Sequence, residues 1–369
     1  MHIPRMPLED WFDRYQFEVD YDLGESAVHT RTVQDLSLGV DLSHVPLRYG
    51  HHQGLPELRE AIAAGYPGLT ADDVVVTSGA SEAISILARV MLSRGDHCVV
   101  EHPTYPTLYE VPRAIGAEVD LFRLRAEDGW RPDWDRLKAQ TSARTRLISL
   151  THPNNPTGSV VDEAELRDVS AWATGLGVPL LVDETYRDLS YGTPPPPAAS
   201  LSEQAISIST MSKCYGLPGL RIGWIATRDR DLIRQVVAAR EYLTITNNTL
   251  GEVLALHVLQ DRERHLAPAR AQVAANLRSV TDWVRTQPLL DWVSPAGGVV
   301  ALAELSGVDA STAQRLYRTL AERHRTFVVP GDGFELPANY FRLGFGSRPA
   351  DLAVGLQRLS AALAELRSA

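Results

Sequence analysis

The sequence predicts an α/β protein whose large domain holds a mostly parallel sheet between helices, with a smaller α+β domain after it. Two observations predict this class. From about residue 50 to residue 230, short β-branched runs alternate with segments of helical periodicity, and this alternation is typical of a parallel sheet covered on both faces. After residue 245, long amphipathic segments lead into a shorter region of mixed character, which indicates a second unit.

The strands and helices of the large domain are predicted from apolar runs and from periodicity. Apolar runs predict buried strands at residues 74–77, 98–101, 147–150, 180–183 and 206–209. Helical spacing predicts helices at residues 55–64, 81–92, 107–115 and 163–173. Because parallel sheets bind ligands at the carboxyl ends of their strands, the polar and glycine-rich residues that follow these runs are candidate site residues.

The remainder of the chain predicts longer helices and a second set of strands. Amphipathic helices are predicted at residues 250–259, 262–286 and 352–366, and strands at 298–302, 326–329 and 340–345. We therefore predict an N-terminal arm over residues 1–44 that belongs to the small domain and covers the substrate. The large domain is predicted over residues 45–264 and the small domain over residues 265–369.

The composition excludes several classes of protein. The chain has 369 residues, 44% of them hydrophobic and 22% charged, and a net charge of −10, which argues against nucleic-acid binding through overall charge. Its two cysteines, Cys98 and Cys214, provide neither a disulfide framework nor a four-thiolate zinc site. The first residues lack the apolar core of a signal peptide, and no apolar run reaches the ~18 residues of a membrane helix. We expect a cytoplasmic enzyme with a small-molecule substrate, and neither a nucleic-acid nor a membrane partner.

The scarcity of lysine singles out one residue. Among 36 lysines and arginines only Lys138 and Lys213 are lysine. Arginine supplies charge and forked hydrogen bonds, whereas only lysine has a primary amine that can lose its proton and attack a carbonyl. Lys138 lies on a polar helix face and is given no role. Lys213 has hydroxyl and apolar neighbours, with no other charge until Arg221, so it is the candidate nucleophile.

Four segments that follow predicted strands carry the candidate chemistry. They are TSGASEA at 77–83, THPNNPTG at 151–158, LLVDETY at 180–186 and STMSKCYGLPGLRIGW at 209–224. The first can expose helix N–H groups to a phosphate, although small residues also occur at such turns for steric reasons alone. Asn155 is either part of a proline-locked turn or a rigid amide donor. Asp183 either caps the next segment or pairs with a protonated ring nitrogen.

Taken in this order, the segments resemble the class I/II aminotransferase family, fold-type I enzymes that use pyridoxal phosphate (PLP). The motifs NNPTG, DExY and SxxSK with a trailing PGLRxGW carry the resemblance, which extends from about Tyr49 to Arg342. It implies PLP as the cofactor and Lys213 as the lysine that holds it as an internal aldimine. It also implies that Asp183 pairs with the pyridine nitrogen and that Asn155 and Tyr186 donate to the phenolic oxygen.

The resemblance assigns further residues by their match to the family pattern. The phosphate-binding positions are Gly79, Ala80, Ser81, Thr210 and Arg221. Tyr105 resembles the aromatic residue that stacks on the cofactor ring, and Arg342 resembles the arginine that pairs with the substrate α-carboxylate. Tyr49 resembles the tyrosine that reaches the phosphate of the neighbouring subunit, which implies a homodimer with shared active sites.

The arm resembles a narrower group within the family. Residues 7–12 and 22–29 are similar to capreomycidine synthase-like enzymes, which cyclise arginine in antibiotic biosynthesis. This implies transformation of an L-amino acid through an external aldimine and a quinonoid, with elimination or replacement at the side chain and ring closure. Glu25 and His29 are then candidate substrate-binding residues, since an acid can pair with a cationic side chain and an imidazole can move protons. The alternative is an aminotransferase that exchanges an amino group with a 2-oxo acid.

Two other classes are disfavoured by the sequence. A metal-dependent hydrolase needs ligand spacing that His51, His52, His102 and His152 do not have, so no metal is expected. A PLP-binding regulator needs an attached DNA-binding module, for which the short arm leaves no room.

Overall fold

The computed structural model describes residues 4–36 and 41–368. Residues 1–3 and 37–40 of the predicted arm lie outside the described residues, as does residue 369 at the end of the predicted small domain. The exact division at residues 44 and 264 stays a prediction.

The first part of the chain contains the arm and the elements of the large sheet. In chain order they are α1 (Pro7–Tyr15), β1 (Tyr21–Asp22), α2 (Pro56–Ala63), β2 (Val74–Thr77), α3 (Ala80–Met91), β3 (His97–His102), α4 (Thr107–Ile115), β4 (Glu118–Arg123), α5 (Trp134–Gln140), β5 (Thr145–Thr151), α6 (Glu163–Gly175), β6 (Leu180–Asp183), β7 (Ala205–Thr210), β8 (Gly223–Thr227), α7 (Arg230–Glu241) and α8 (Thr249–Gln260). The five strands and four helices predicted for this region all form.

The large sheet is parallel except for one strand. Its described strands follow the order β2-β8-β7-β6-β5-β3-β4, and only β8 runs antiparallel to its neighbours. Strands β2, β3, β5, β6 and β7 therefore end at the same edge. This confirms the α/β fold class and places the four candidate segments on one side of the molecule.

Two strands of this sheet are not predicted by the sequence, for different reasons. Strand β4 lies at the sheet edge, and its alternating charged residues (EVDLFR) leave it largely exposed, so it lacks the apolar run of a central strand. Strand β8 is fully buried. It follows the STMSKCYGLPGLRIGW segment so closely that its first residues belong to the motif as well as to the strand.

The last part of the chain forms a helical layer and two small sheets. The elements are α9 (Arg262–Val284), β9 (Leu290–Trp292), β10 (Val300–Leu305), α10 (Ala310–Glu322), β11 (Thr326–Phe327), β12 (Val329–Pro330), β13 (Tyr340–Gly344) and α11 (Pro349–Ser368). Strands β12, β13, β10 and β9 form an antiparallel sheet in that order. The single strand predicted at 326–329 is two short strands, because β11 pairs with β1 of the arm while β12 pairs with β13.

Apolar layers cover both faces of the large sheet. Side chains of α3, α4 and α7 pack on one face, and those of α5 and α6 pack with the strands on the other. A further cluster joins α2, α8, α9, α10 and α11 to the antiparallel sheet. Within residues 4–36 and 41–368, no helix combines the length and the apolar character that crossing a membrane requires.

The arm contacts both the C-terminal elements and the large sheet. Helix α1 buries Leu8 and Tyr15 against Phe327 and Phe334. After β1, the chain turns along the segment that follows β7, where the Val28 amide donates to the Lys213 carbonyl at 3.1 Å. The arm therefore lies across the carboxyl edge of the large sheet.

Candidate active site

A cavity of about 360 Å³ lies between this sheet edge and the arm, within the range of about 300–1,000 Å³ usual for small-molecule sites. Its walls come from residues after β2, β3, β5, β6 and β7, from α1 and the segment after β1, and from β13. The predicted site residues that line it are Glu25, Ala80, Ser81, Tyr105, Asn155, Asp183, Tyr186, Thr210, Lys213, Arg221 and Arg342. Most of the predicted residues are thus brought together in one cavity.

Lys213 lies just after β7 and presents its amine to this cavity. Nζ is 2.9 Å from Ser26 Oγ and 3.4 Å from Glu25 Oε1, and 27% of the side chain is exposed. Burial alone raises the pKa of Glu25, but Lys213 and Arg342 together hold that pKa below its usual range. The amine therefore faces an ionised carboxylate. Lys138, by contrast, lies outside the cavity and pairs with Asp135 at 3.7 Å.

Asp183 ends β6 and is a buried acid in the cavity wall. Its side chain is 6% exposed, and Oδ1 accepts a hydrogen bond from the Thr185 amide at 3.0 Å. Burial raises the pKa of Asp183, whereas the Thr185 hydrogen bonds and the charge of Lys213 act in the opposite direction. A buried carboxylate facing a ligand cavity is stabilised by a cationic partner, and the protonated ring nitrogen of PLP is such a partner.

The turn from β2 into α3 forms a second polar wall. Gly79 is the N-cap of α3, with φ of 82° and no side-chain cap, so the first N–H groups of the helix are open to an anion. A Cβ added to Gly79 would lie 2.5 Å from Arg221 Nη2. Arg221 itself has φ of 53°, and its Nη1 donates to the Pro218 carbonyl at 3.0 Å.

Hydroxyl groups and a guanidinium complete this wall. The Thr210 hydroxyl lies 2.9 Å from the Ser212 hydroxyl, and both residues line the cavity with Ser81 and Arg221. Helix N–H groups, hydroxyls and one guanidinium form a donor set that fits a phosphate dianion. The residues present therefore fit both the ring and the phosphate of PLP.

Arg342 and Asn155 form a buried pair at the opposite wall. Arg342 Nη1 donates to Asn155 Oδ1 at 3.0 Å, and Nη2 donates to the Gly24 carbonyl at 2.6 Å. Because the Asn155 oxygen is used in this way, its amide N–H groups face the other direction. Arg342 is 2% exposed, and its Nε has no hydrogen-bond partner among the described residues. The guanidinium is thus held by two hydrogen bonds, and its Nε–H has no partner among the described residues.

Tyr186 and Tyr105 reach the arm from the sheet side. The Tyr186 hydroxyl donates to the Ser26 carbonyl at 2.6 Å, and burial raises its pKa. The Tyr105 hydroxyl donates to Glu9 Oε1 at 3.2 Å. Both rings line the cavity, so each is positioned against the arm as well as against the site.

Three predicted residues do not line the cavity: Gly79, at the N-cap of α3 beside it, Tyr49 and His29. Tyr49 is 77% exposed and lies outside it. His29 lines a neighbouring cavity that shares Glu25 and Gln16 with the first, and its Nε2 accepts a hydrogen bond from Arg348 Nε at 2.9 Å. Burial and the charge of Arg348 lower the pKa of His29, so its ring is neutral near pH 7. The substrate role of His29 stays a prediction.

The sequence does not predict several residues that line the cavity. From the arm these are Leu8, Glu9, Phe12, Gln16 and Ser26, and from the sheet edge Ile84, Thr151, Thr185, Ser212 and Pro218. Resemblance singles out both arm segments, but no spacing within them assigns a role to Ser26 or Glu9. Their positions depend on packing against residues far along the chain.

Comparison with known proteins identifies the family. The chain matches the aminotransferase class I and II family over residues 20–359. It belongs to that family. Members of the family use PLP, and this chain is a PLP-dependent enzyme of fold type I, as predicted.

Individual family members share almost the whole chain. Capreomycidine synthase from Streptomyces vinaceus is 34% identical, over 97% of this chain and 93% of its own. A PLP-dependent aminotransferase from Streptococcus suis superposes with a TM-score of 0.93 at 28% identity, covering 99% of each chain. The PLP-dependent cyclase OrfR superposes with a TM-score of 0.92 at 30% identity, covering 99% of this chain and 98% of its own. The resemblance to capreomycidine synthase-like enzymes is confirmed.

Proposed function

We propose that this chain transforms an L-amino acid by elimination or replacement at the side chain, followed by ring closure. The observation that carries the proposal is the 34% identity to capreomycidine synthase over 97% of the chain, a span that includes most of the arm. The structural likeness to a PLP-dependent cyclase over 99% of the chain supports it independently.

The sheet side of the cavity would hold and tune the cofactor. Bound PLP supplies an electron sink for negative charge that develops at the substrate Cα. In the proposed assignment, Asp183 keeps a proton on the ring nitrogen, and Gly79, Ala80, Ser81, Thr210 and Arg221 bind the phosphate. Lys213 holds the cofactor covalently through Nζ. Once released, the Lys213 amine removes the proton from Cα and can return it at a neighbouring atom.

Arg342 and Asn155 would orient the substrate and the ring. Arg342 is proposed to bind the α-carboxylate through N–H groups, because its guanidinium is buried and keeps Nε unpaired among the described residues. This grip would fix which bond at Cα stands perpendicular to the cofactor ring. Asn155, whose oxygen is used by Arg342, would donate its N–H to the phenolic oxygen. Tyr186 would join it by turning its O–H from the Ser26 carbonyl, while Tyr105 stacks on the ring.

The arm side would recognise the substrate side chain. Glu25 lines the cavity and is ionised beside Lys213 and Arg342, so a cationic group such as a guanidinium is the complementary side chain. His29 lies in the adjoining cavity with Glu25, where its imidazole could accept a proton from Cβ or Cγ once Arg348 releases Nε2. We propose both residues as substrate-binding residues.

A second candidate function is amino-group exchange with a 2-oxo acid. It is supported by the TM-score of 0.93 and the 28% identity to a PLP-dependent aminotransferase over 99% of each chain. The two functions share every proposed cofactor-binding residue, so they differ only in the fate of the substrate after the Cα proton is removed.

Turnover with and without a 2-oxo acid separates the two functions. The purified enzyme is incubated with a panel of L-amino acids that includes arginine and hydroxylated arginines, and the cofactor is followed by absorbance. We expect turnover without a 2-oxo acid and a cofactor spectrum that is unchanged at the end. Stoichiometric conversion of the cofactor to its amine form, with turnover only after a 2-oxo acid is added, would instead establish an aminotransferase.

We also propose that the enzyme is a homodimer in the cytoplasm. Large apolar side chains are exposed together on the segments around Tyr49 and Tyr242, at Leu47, Tyr49, Tyr242, Leu243 and Ile245. The first of these segments is tied to the start of α8 by the Thr249 hydroxyl, which donates to the Arg48 carbonyl at 3.2 Å. Burial of this surface in a dimer would bring Tyr49 towards the partner's phosphate site. The two free, buried cysteines fit a reducing compartment.

Light scattering together with activity tests the dimer. We expect one species of twice the chain mass, and lower activity when Tyr49 is replaced by Phe. Full activity in a species shown by light scattering to be monomeric would contradict the proposal.

A further inference from the structure

The segment after β1 holds a polar contact with Lys213 that none of the proposed roles uses. Ser26 is 5% exposed, and its hydroxyl lies 2.9 Å from Lys213 Nζ. Its amide donates to Glu25 Oε1 at 2.7 Å, and that same oxygen lies 3.4 Å from Nζ. We name Ser26 Oγ and Glu25 Oε1 the amine site.

Hydrogen bonds with Tyr186, after β6, and with Asp22 of the arm hold the amine site in place. On one side the Ser26 carbonyl accepts from the Tyr186 hydroxyl at 2.6 Å. On the other, Asp22 Oδ1 accepts from the Gly24 and Glu25 amides at 2.7 and 2.8 Å. A buried hydroxyl with its backbone fixed at both sides loses little further freedom when it binds a ligand.

The segment also lies directly against the chain that carries Lys213. A Cβ on Gly216 would lie 2.5 Å from the His29 carbonyl oxygen, and φ at Gly216 is 64°. The Arg31 amide donates to the Gly216 carbonyl at 3.0 Å. Because glycine permits this close approach, the distance between the amine site and the lysine backbone is fixed by main-chain contacts.

The charge of the amine site suits a free ammonium. Lys213 and Arg342 keep the pKa of Glu25 low against the effect of burial, so Oε1 is an anionic acceptor. A hydroxyl and a carboxylate together can accept two of the three N–H donors of an ammonium. An amine bonded covalently to the cofactor has no such set of donors to offer.

We propose that Ser26 is a positioning residue that, with Glu25, holds the Lys213 amine during the part of the reaction in which that amine is free. The inference rests on the proposed covalent role of Lys213. Held there after it has taken the Cα proton, the ammonium stays within the cavity that Asp183 and Arg342 also line until it returns that proton. Without Ser26 the long side chain samples other rotamers, and proton transfer slows although substrate still binds.

The lysine content of the chain allows a direct test. The protein is labelled with [ε-15N]lysine, loaded with PLP and treated with methoxyamine, which bonds the cofactor carbonyl in place of Lys213 and frees the amine. Only Lys138 and Lys213 contribute signals. In the Lys138→Arg variant the single remaining lysine signal is that of Lys213. A hydrogen-bonded ammonium exchanges its protons with water slowly, so the exchange rate reports the amine site.

We expect Ser26→Ala to increase the proton exchange rate of Lys213 at least roughly tenfold and to lower kcat roughly tenfold, with KM changed less than about twofold. Ser26→Thr keeps the hydroxyl and should restore both values. Ser43→Ala is the matched control, since it removes a hydroxyl from an exposed serine that does not line the cavity. Its Lys213 exchange rate should equal that of the unchanged protein.

The outcomes separate this inference from the proposed function. Equal Lys213 exchange in the unchanged protein and in Ser26→Ala overturns the amine site alone. If methoxyamine releases Lys138 rather than Lys213, the covalent role and the amine site both fail. If Ser26→Ala does not fold, Glu25→Gln takes its place, because it removes the charge of the amine site and keeps the Ser26 hydroxyl.

Discussion

The two walls of the cavity are built in different ways. The sheet wall consists of residues that follow strands β2, β3, β5, β6 and β7, and it is fixed by the hydrogen-bonded ladder of a buried sheet. The arm wall consists of residues from α1 and the segment after β1, and it is fixed by side-chain packing and a few main-chain contacts. The sheet wall carries the proposed cofactor residues, the arm wall carries Glu25, and β13 contributes Arg342. The proposed cofactor residues are thus held by a hydrogen-bonded sheet, whereas Glu25 is held by an arm whose position depends on side-chain packing.

The largest effect is expected when Lys213, the proposed nucleophile of the sheet wall, is replaced. Lys213→Ala should lower turnover by at least about 10²–10⁴-fold, because the base that moves the Cα proton is lost. Lys138→Ala is the matched control, since Lys138 is half exposed and lies outside the cavity, and it should keep full activity. Borohydride reduction followed by peptide mapping checks the assignment. A reduced cofactor found on Lys138 would falsify it.

A smaller effect is expected where the arm wall meets β13. A Cβ on Gly344 would collide with the Glu25 carbonyl oxygen, so Gly344→Ala should displace the arm while the sheet wall stays in place. We expect turnover to fall roughly a hundredfold, the effect of a displacement of about 1 Å at a reacting centre, with the cofactor absorbance kept. Gly175→Ala has open space around the new methyl group and serves as the control. Loss of cofactor binding in Gly344→Ala would show that the two walls are not independent.

The third variant, Trp11→Ala, weakens the packing of α1. Trp11 stacks on Phe327 with ring centroids 6.2 Å apart, and its Nε1 donates to the Val328 carbonyl at 2.9 Å. Trp11→Ala should lower the free energy of unfolding by about 1–3 kcal/mol and raise KM several-fold more than it lowers kcat. Phe17, which is 86% exposed on the same arm, provides the control: Phe17→Ala should change neither quantity. Denaturant unfolding and steady-state kinetics measure both.

The smallest effect concerns the contact between β3 and the small-domain turn at Phe334. His102 Nε2 donates to the Phe334 carbonyl at 2.8 Å, and burial, with the charge of Arg123, lowers the pKa of His102 to about 4. As the pH falls, His102 is therefore protonated at a higher pH in the unfolded chain than in the folded chain. This contribution to stability is complete above about pH 6.5 and is lost as the pH falls from there towards 4. His102→Gln should flatten the decline of stability over that window, and an equally steep decline in the variant would contradict the assignment.

The proposed cofactor residues of the sheet wall can be predicted from the sequence because their motifs begin at or shortly after apolar runs. Asp183 ends such a run, and Asn155 and Lys213 come shortly after one. Their place at one edge follows from parallel strands alone. The family resemblance then supplies their chemical roles, which spacing cannot.

The arm wall cannot be predicted in the same way. Helix α1 is not predicted, and Glu9 and Phe12 enter the cavity only because α1 packs against β11 and the turn at Phe334. Ser26 reaches Lys213 over 187 positions of sequence. These contacts depend on tertiary packing, and nothing local in the sequence determines them. The same holds for Tyr49, whose proposed partner is in another subunit.

The arm contacts have a consequence for how members of this family could acquire new substrates. The segment after β1 meets the sheet wall in part through its own carbonyl and amide groups, as in the contacts of Ser26 with Tyr186 and of Val28 with Lys213. Main-chain groups are the same whatever side chains the segment carries. The arm can therefore be treated as an exchangeable module: a chimera that takes residues 4–31 from a relative should inherit that relative's substrate preference and keep the cofactor chemistry of this chain.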